Sequence, residues 1–192
     1  MTTDKGLQDG DATLIRRAAA GQRSAFDLLV ERHQAAVYRF ARSLAHDDAA
    51  AEEALQETFL SAFKSTRRFR GEASARAWLL TIVRHVVERQ LAHGVGEPGN
   101  NQPLGDIGKA AGWGAIDDHL ADLLADRLLL QRALAGLSSA DRALLILRDL
   151  EGLSTAEAAE VMGLAESALK TRLHRARLRL LAWLRREVED GG

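Results

Sequence analysis

Ser167, Lys170, Thr171, His174 and Arg175 all carry side chains that can donate hydrogen bonds, and they recur at helical spacing near the C-terminal end of the chain. At about 100° per residue they fall on one side of a helix. Leu169, Leu173, Ala176 and Leu180 fall on the other side and form an apolar face. Donors in that pattern suit phosphate oxygens and base edges, the chemistry of reading a duplex rather than breaking a bond. The residues just upstream agree. Ser154 and Glu157 have the spacing of a capping box, which starts a short helix. Ala159, Gly163 and Leu169 then supply a small residue where two helices touch, a glycine in the turn and an apolar anchor in the second helix. This is the layout of a helix-turn-helix, whose second helix lies in a major groove. An ordinary basic surface helix is the alternative, and the caps, the glycine and the spacing favour the duplex reader. Arg172, Arg177 and Arg179 flank the donor face and suit phosphates or local ion pairs equally. Leu178 and Leu181 lie further along and point either to a protein contact or to packing against residues 127–137.

Chemistry of the catalytic kind finds no support. The six histidines (His33, His46, His85, His93, His119 and His174) form no metal-ligand pair and flank no nucleophile at helical spacing. There is no cysteine, which excludes disulfides and thiolate zinc sites. No glycine-rich phosphate loop follows a strand. Neither a metal nor a cofactor is expected, and the chain reads as a non-enzyme.

The elements that must position these residues are helices. The chain has 192 residues, room for one ordinary domain or two small ones, and no convincing strand or internal repeat. A first helix is expected from about Asp11 to Ala20, ended by Gly21. Ser24 is expected to cap a second, with an apolar stripe of Phe26, Leu29, Val30, Val37, Phe40, Ala41 and Leu44. A third runs from Asp47 or Asp48 to Ser65, and a fourth, capped by Ser74, to about Ala92. The stretch HGVGEPGNNQPLGDIGKAAGWGA holds both prolines and reads as a linker. Helix resumes near Asp117, and Ser138 or Ser139 caps the next helix, which ends near Gly152. The expected fold class is all-α: two small helical domains, 1–93 and 125–192, joined by a flexible acidic linker over 94–124. No apolar run could span a membrane and no signal-peptide pattern opens the chain, so a cytoplasmic protein is expected.

Charge is divided along the chain. Residues 1–93 carry a net +2, residues 94–126 a net −5 and residues 127–192 a net +2, for −1 in total. Since phosphate contacts dominate affinity for DNA, so small a positive charge implies that a larger partner supplies much of the binding energy, unless the basic residues are merely solvated helix faces. The third helix offers a surface for such a partner. Ala51, Leu55, Phe59, Ala62 and Phe63 form its expected core stripe, while Glu53, Gln56, Glu57, Leu60 and Lys64 face away. Glu53 and Glu57 stand four apart, where like charges cost helix stability, and an outward leucine lies beside them. A basic, partly apolar partner would explain both; a solvated acidic face is the alternative.

Three segments together resemble a bacterial sigma factor of the extracytoplasmic-function (ECF) group: AEEALQETFLSAF (51–63), RFRGEASARAWLLTIVRH (68–85) and LSSADRALLILRDLEGLSTAEAAEVMGLAESALKTRLHRAR (137–177). The resemblance implies sigma domain 2, then sigma domain 4, and the role of a transcription initiation factor. It implies that Glu53, Gln56, Glu57 and Leu60 dock on core RNA polymerase. The loop 67–75, with Phe69 and Arg70, would capture a flipped base of the minus-ten element, and Arg84 and His85 would help melt it. Ser167, Lys170, Thr171, His174 and Arg175 would read the minus-thirty-five element, with Arg148 on a backbone phosphate. The linker, with Glu97, Asp106, Asp117, Asp118, Asp122 and Asp126, would thread through the polymerase as an acidic mimic of nucleic acid, or serve only as a soluble tether. An anti-sigma factor is implied as a partner that masks these surfaces and would hold the protein near the membrane, with Leu60, Leu178 and Leu181 as contacts.

The chain also departs from the family pattern. Glu53 stands where aspartate is usual, and His85 and Arg89 stand where the fourth helix typically has asparagine and aspartate. Ala92 and His93 replace a basic pair. Arg89 falls near the apolar stripe of Trp78, Ile82 and Val86, so it must reach solvent or find an acid. Trp78 itself reads as core, with base stacking as the rival role. Two other function classes compete. A DNA-binding response regulator or repressor would need a strand-containing N-terminal domain, and an adaptor would bind polymerase without reading DNA.

Overall fold

The computed structural model describes residues 9–93, 130 and 132–190. Every regular element among them is helical. In chain order these are α1 (Asp11–Ala19), α2 (Arg23–Leu44), α3 (Asp48–Ser65) with a 3₁₀ turn (Thr66–Arg68), α4 (Ala75–His93), α5 (Ser139–Leu145) running into a π turn (Ile146–Leu150), α6 (Thr155–Met162) and α7 (Glu166–Asp190). The acidic linker and the helix expected near Asp117 lie outside the described residues.

Local chemistry accounts for most boundaries. Asp47 caps α3 by accepting from the Ala50 N–H at 2.7 Å. Ser74 accepts from the Ala77 N–H at 3.2 Å, and Ser138, not Ser139, caps α5 through the Asp141 N–H. Gly21, with φ of 96°, turns the chain between α1 and α2. The cap expected at Ser24 is not formed: α2 begins at Arg23, with Gln22 in the cap position and no side-chain cap bond. The Gln22 amide oxygen accepts from Arg17 Nε at 2.7 Å instead, tying the turn back to α1.

Helices α1 to α4 pack around Leu14, Ile15, Leu29, Val37, Phe40, Leu79, Leu80 and Val83, all almost fully buried. Burying each such apolar side chain contributes about 1.5–3 kcal/mol. The stripe of α3 is displaced from its expected place. Ala51, Ala54, Thr58, Phe59 and Ala62 are buried, Leu55 is half-buried, and Phe63 is 40% exposed. The small residues Ala51, Ala54 and Ala62 fill the buried face of α3, and Phe63 sits on the rim with its ring edge-on to Phe26 at 5.1 Å.

Charge closes the N-terminal end. Asp11 meets the buried His33 through Nε2 at 2.8 Å and accepts from Arg32 at 3.1 Å. Burial would raise the Asp11 pKa, but His33 and Arg32 outweigh it and hold the carboxyl below its ordinary value.

The C-terminal helices form a second unit around Leu144, Leu147, Leu153, Val161, Leu169, Leu173 and Ala176. The two units pack against one another and share one continuous apolar cluster. Helix α4 lies against α6, and α2 lies against α5 and the π turn.

Candidate nucleic-acid interface

Two capping devices set the angle between α6 and α7. At the start of α6 the Glu157 N–H donates to Ser154 Oγ at 3.1 Å, and the Ser154 N–H donates to the Glu157 carboxylate at 2.9 Å. This is the capping box expected from the sequence. At its end Gly163 adopts φ 63° and ψ 36°, and the Leu164 N–H reaches back to the Ala159 carbonyl at 2.9 Å. That six-to-one bond is a Schellman closure, and the left-handed conformation explains the glycine. Ala159 and Leu169 are buried on either side of the turn.

The turn therefore presents the outer face of α7 to solvent. Ser167, Lys170, Thr171, His174 and Arg175 are all exposed on it, while Leu169, Leu173 and Ala176 are buried behind. Arg148 does not lie on α7; it sits in the π turn, half-buried, with Nε buried and without a hydrogen-bond partner. The π turn arises because the Glu151 N–H bonds to the Ile146 carbonyl at 2.8 Å, one residue beyond the α pattern. Of the flanking arginines, Arg177 donates through Nε to Asp149 at 3.1 Å and Arg179 pairs with Asp141. The Asp149 hydrogen bonds raise the Arg177 pKa above its ordinary value. Both are thus committed to local pairs, while Arg172 is exposed. Leu178 and Leu181 are each 51% exposed. The end of α7 instead meets the segment before α5 through Trp183, whose indole lies over Gly136.

The other expected site residues fall in two places. Phe69 is half-buried in the loop before α4, its ring 5.0 Å from that of Trp78, which is itself packed against the core. Arg70 is exposed beside it and lies 3.9 Å from Glu72. On α4, Arg84 donates to Glu88 at 2.7 Å and lies 2.8 Å from His85 Nε2. The Arg84 side chain is only 19% exposed because the turn at Gly163 covers it. On α3, Glu53, Gln56 and Leu60 are exposed, Leu60 to 62%. Glu57 is half-buried and pairs with Arg89 of α4. This answers the question posed by Arg89, which leaves the apolar stripe to meet an acid.

Sequence reasoning missed a set of contacts between the two units. The Glu151 side chain, 2% exposed, accepts from Arg39 at 2.8 Å and lies 3.8 Å from Arg76 Nη1. Arg76 also donates to the Glu151 carbonyl at 2.9 Å. Ser74 Oγ donates to Glu157 at 2.7 Å, so one carboxylate serves the caps of both α4 and α6. These hydrogen bonds, that of Ser74 foremost, hold the Glu157 pKa below its ordinary value. No periodicity or motif marks an acid as facing another unit; only the tertiary arrangement does.

Residues 29–94 match the family model of Sigma-70 region 2, and residues 127–180 match that of Sigma-70, region 4. The ECF RNA polymerase sigma factor SigM of Mycobacterium tuberculosis is 35% identical over 170 residues, covering 88% of this chain and 82% of SigM. RNA polymerase sigma factor CnrH of Cupriavidus metallidurans is 31% identical, covering 95% of this chain and 98% of CnrH. Among solved structures, CnrH in complex with the cytosolic domain of CnrY superposes with a TM-score of 0.66 at 27% identity, over 93% of this chain and 99% of that one. The sigma factor RpoE in complex with the anti-sigma factor NepR from Bartonella quintana gives 0.62 at 26% identity, over 83% and 96%. The agreement of both region matches, in order, with an all-helical fold and an exposed donor face behind a glycine turn places this chain in the ECF group of sigma-70 factors, the initiation factors that direct RNA polymerase to promoters.

Proposed function

We propose that this factor divides its work between residues 1–93 and 125–192, with the linker 94–124 passing through the polymerase between them. The observation that carries the reading is the exposed row of Ser167, Lys170, Thr171, His174 and Arg175, aimed outward by the capped α6 and the turn at Gly163. That row reads the minus-thirty-five element in the major groove, and Arg148 anchors a flanking phosphate. Phe69 and Arg70 hold a base flipped from the minus-ten strand, and Arg84 and His85 stabilise its melted form. Glu53, Gln56, Glu57 and Leu60 dock on core polymerase, where an apolar centre beside acids suits a basic, partly apolar surface.

The same surfaces fit an anti-sigma factor. The two solved relatives described above were each captured with a partner, the second of them named as an anti-sigma factor. The protein acts in the cytoplasm and catalyses nothing itself; polymerase does the chemistry. No described helix is long and apolar enough to cross a membrane. The test is promoter output with Lys170→Ala and Arg175→Ala. Each loses a base or phosphate contact worth about 1–3 kcal/mol, roughly a fivefold to hundredfold fall in promoter use, with polymerase binding intact. Equal output from wild type and both variants overturns the assignment of α7.

A further inference from the structure

Thr171 sits at the centre of the outward row on α7, with Ser167 one turn before it, Arg175 one turn after and Lys170 beside it. Its side chain is exposed, yet its hydroxyl is not free to donate outward. Oγ1 donates to the Ser167 carbonyl at 3.0 Å, turned back along the helix. Thr171 therefore differs from its neighbours. Lys170, His174 and Arg175 bring long or planar side chains with donors at their tips, whereas Thr171 brings a short one whose only donor is engaged. What it has left to offer a base edge is the γ-methyl. The bond to Ser167 also fixes χ1 of a β-branched side chain that is stiff to begin with, so the methyl is held in place before any duplex arrives.

The major groove offers one apolar feature, the C5-methyl of thymine. We propose that Thr171 is a thymine-reading residue: its γ-methyl packs against the C5-methyl of one thymine in the minus-thirty-five element, and its hydroxyl takes no part. The proposal rests on the reading of α7 as the helix that enters that groove, and it names what one position of the row recognises. Methyl against methyl takes apolar surface out of water. At cytosine the same approach would set a methyl against the N4 amino group and leave that donor unmet. Lys170 and Arg175 carry positive charge and attract phosphates or guanine acceptors. Thr171 adds selection without charge, so its loss changes which sequence is preferred more than how tightly DNA as a whole is held.

The test uses holoenzyme assembled from core polymerase and the full chain, on promoter duplexes taken from the start sites that the wild-type chain creates. Each thymine of the upstream element is replaced in turn by deoxyuridine, which removes only the C5-methyl. Wild type is compared with Thr171→Ser, which keeps the hydroxyl and lacks the methyl, and with Thr171→Val, which keeps a methyl and lacks the hydroxyl. One thymine is expected to be sensitive, its replacement weakening binding roughly fourfold, the factor for returning one methyl group to water. Thr171→Val is expected to show the same sensitivity, and Thr171→Ser to bind the thymine and deoxyuridine duplexes equally. With 5-methylcytosine in place of that thymine and guanine opposite, wild type is expected to bind more tightly than with unmodified cytosine, by a similar factor. Loss of the methyl effect in Thr171→Val, or its survival in Thr171→Ser, overturns the proposal. So does a duplex series with no methyl effect at any position, or an upstream element that contains no thymine. Failure of the underlying reading of α7 shows elsewhere, as promoter output unchanged by Lys170→Ala and Arg175→Ala.

Discussion

Replacing Gly163 separates backbone strain from crowding at the turn that aims α7. Its φ of 63° and ψ of 36° lie in the left-handed region, where an L side chain costs roughly 1–2 kcal/mol. An added Cβ would meet Arg84 guanidinium atoms at 3.6–3.7 Å, an ordinary contact with the tip of a flexible side chain. Space is therefore not the obstacle. Gly163→Ala also restricts the unfolded chain, which offsets about 0.4–1 kcal/mol. The net loss should be close to 1 kcal/mol. Gly163→Asn should cost less, because asparagine tolerates the left-handed region, and Gly163→Val should cost most, because a β-branched residue there is a genuine outlier. Urea denaturation of the three variants, followed by far-ultraviolet circular dichroism, gives the ranking. A loss above about 3 kcal/mol for alanine would mean that rigid atoms crowd the turn. A valine variant as stable as the alanine one would refute the left-handed argument.

Other expectations concern the faces and the core. Glu53→Lys with Glu57→Lys should weaken co-purification with core polymerase. The lost pair with Arg89 is half-exposed and worth about 1 kcal/mol of fold stability, so weak binding by a still-helical variant would locate the defect at the surface. Unchanged co-purification would count against that face. Leu169→Ala, at a fully buried anchor of α7, should cost about 2–5 kcal/mol; a loss below 1 kcal/mol would show that α7 is not seated as described. Asp11 has a folded pKa below its ordinary value of 3.8, so its pairing with His33 and Arg32 stabilises the fold above that pH and is lost as pH falls through the folded value. Asp11→Asn should flatten the acid limb of a stability-against-pH curve, and an unaltered limb would remove Asp11 from its cause.

Much of this fold is written in short-range signals. Asp47, Ser74, Ser138 and the Ser154–Glu157 box each mark a helix start, because a cap satisfies donors within one turn and needs nothing from the rest of the molecule. The outward row on α7 is legible for the same reason: helical spacing alone separates it from Leu169, Leu173 and Ala176. Ser24 misled because a turn glutamine, held by an arginine of the preceding helix, took the cap position. Phe63 misled because helical spacing places it beside the buried stripe without saying where the core ends; it stops at the rim, against Phe26. Arg89 was legible as a problem but not in its answer, since Glu57 stands on another helix. The seam between the two units was invisible altogether. Glu151 looks like any acid before a turn glycine, and its burial against Arg39 and Arg76 depends on residues more than seventy positions away.

This chain gives core RNA polymerase a choice of promoters. Transcription in vitro from a genomic library, with core polymerase alone and with the full chain added, tests it most directly. A set of discrete new start sites is expected, dependent on the chain and fading with Lys170→Ala. The same start sites with and without the chain, from a preparation shown to be folded, would contradict it.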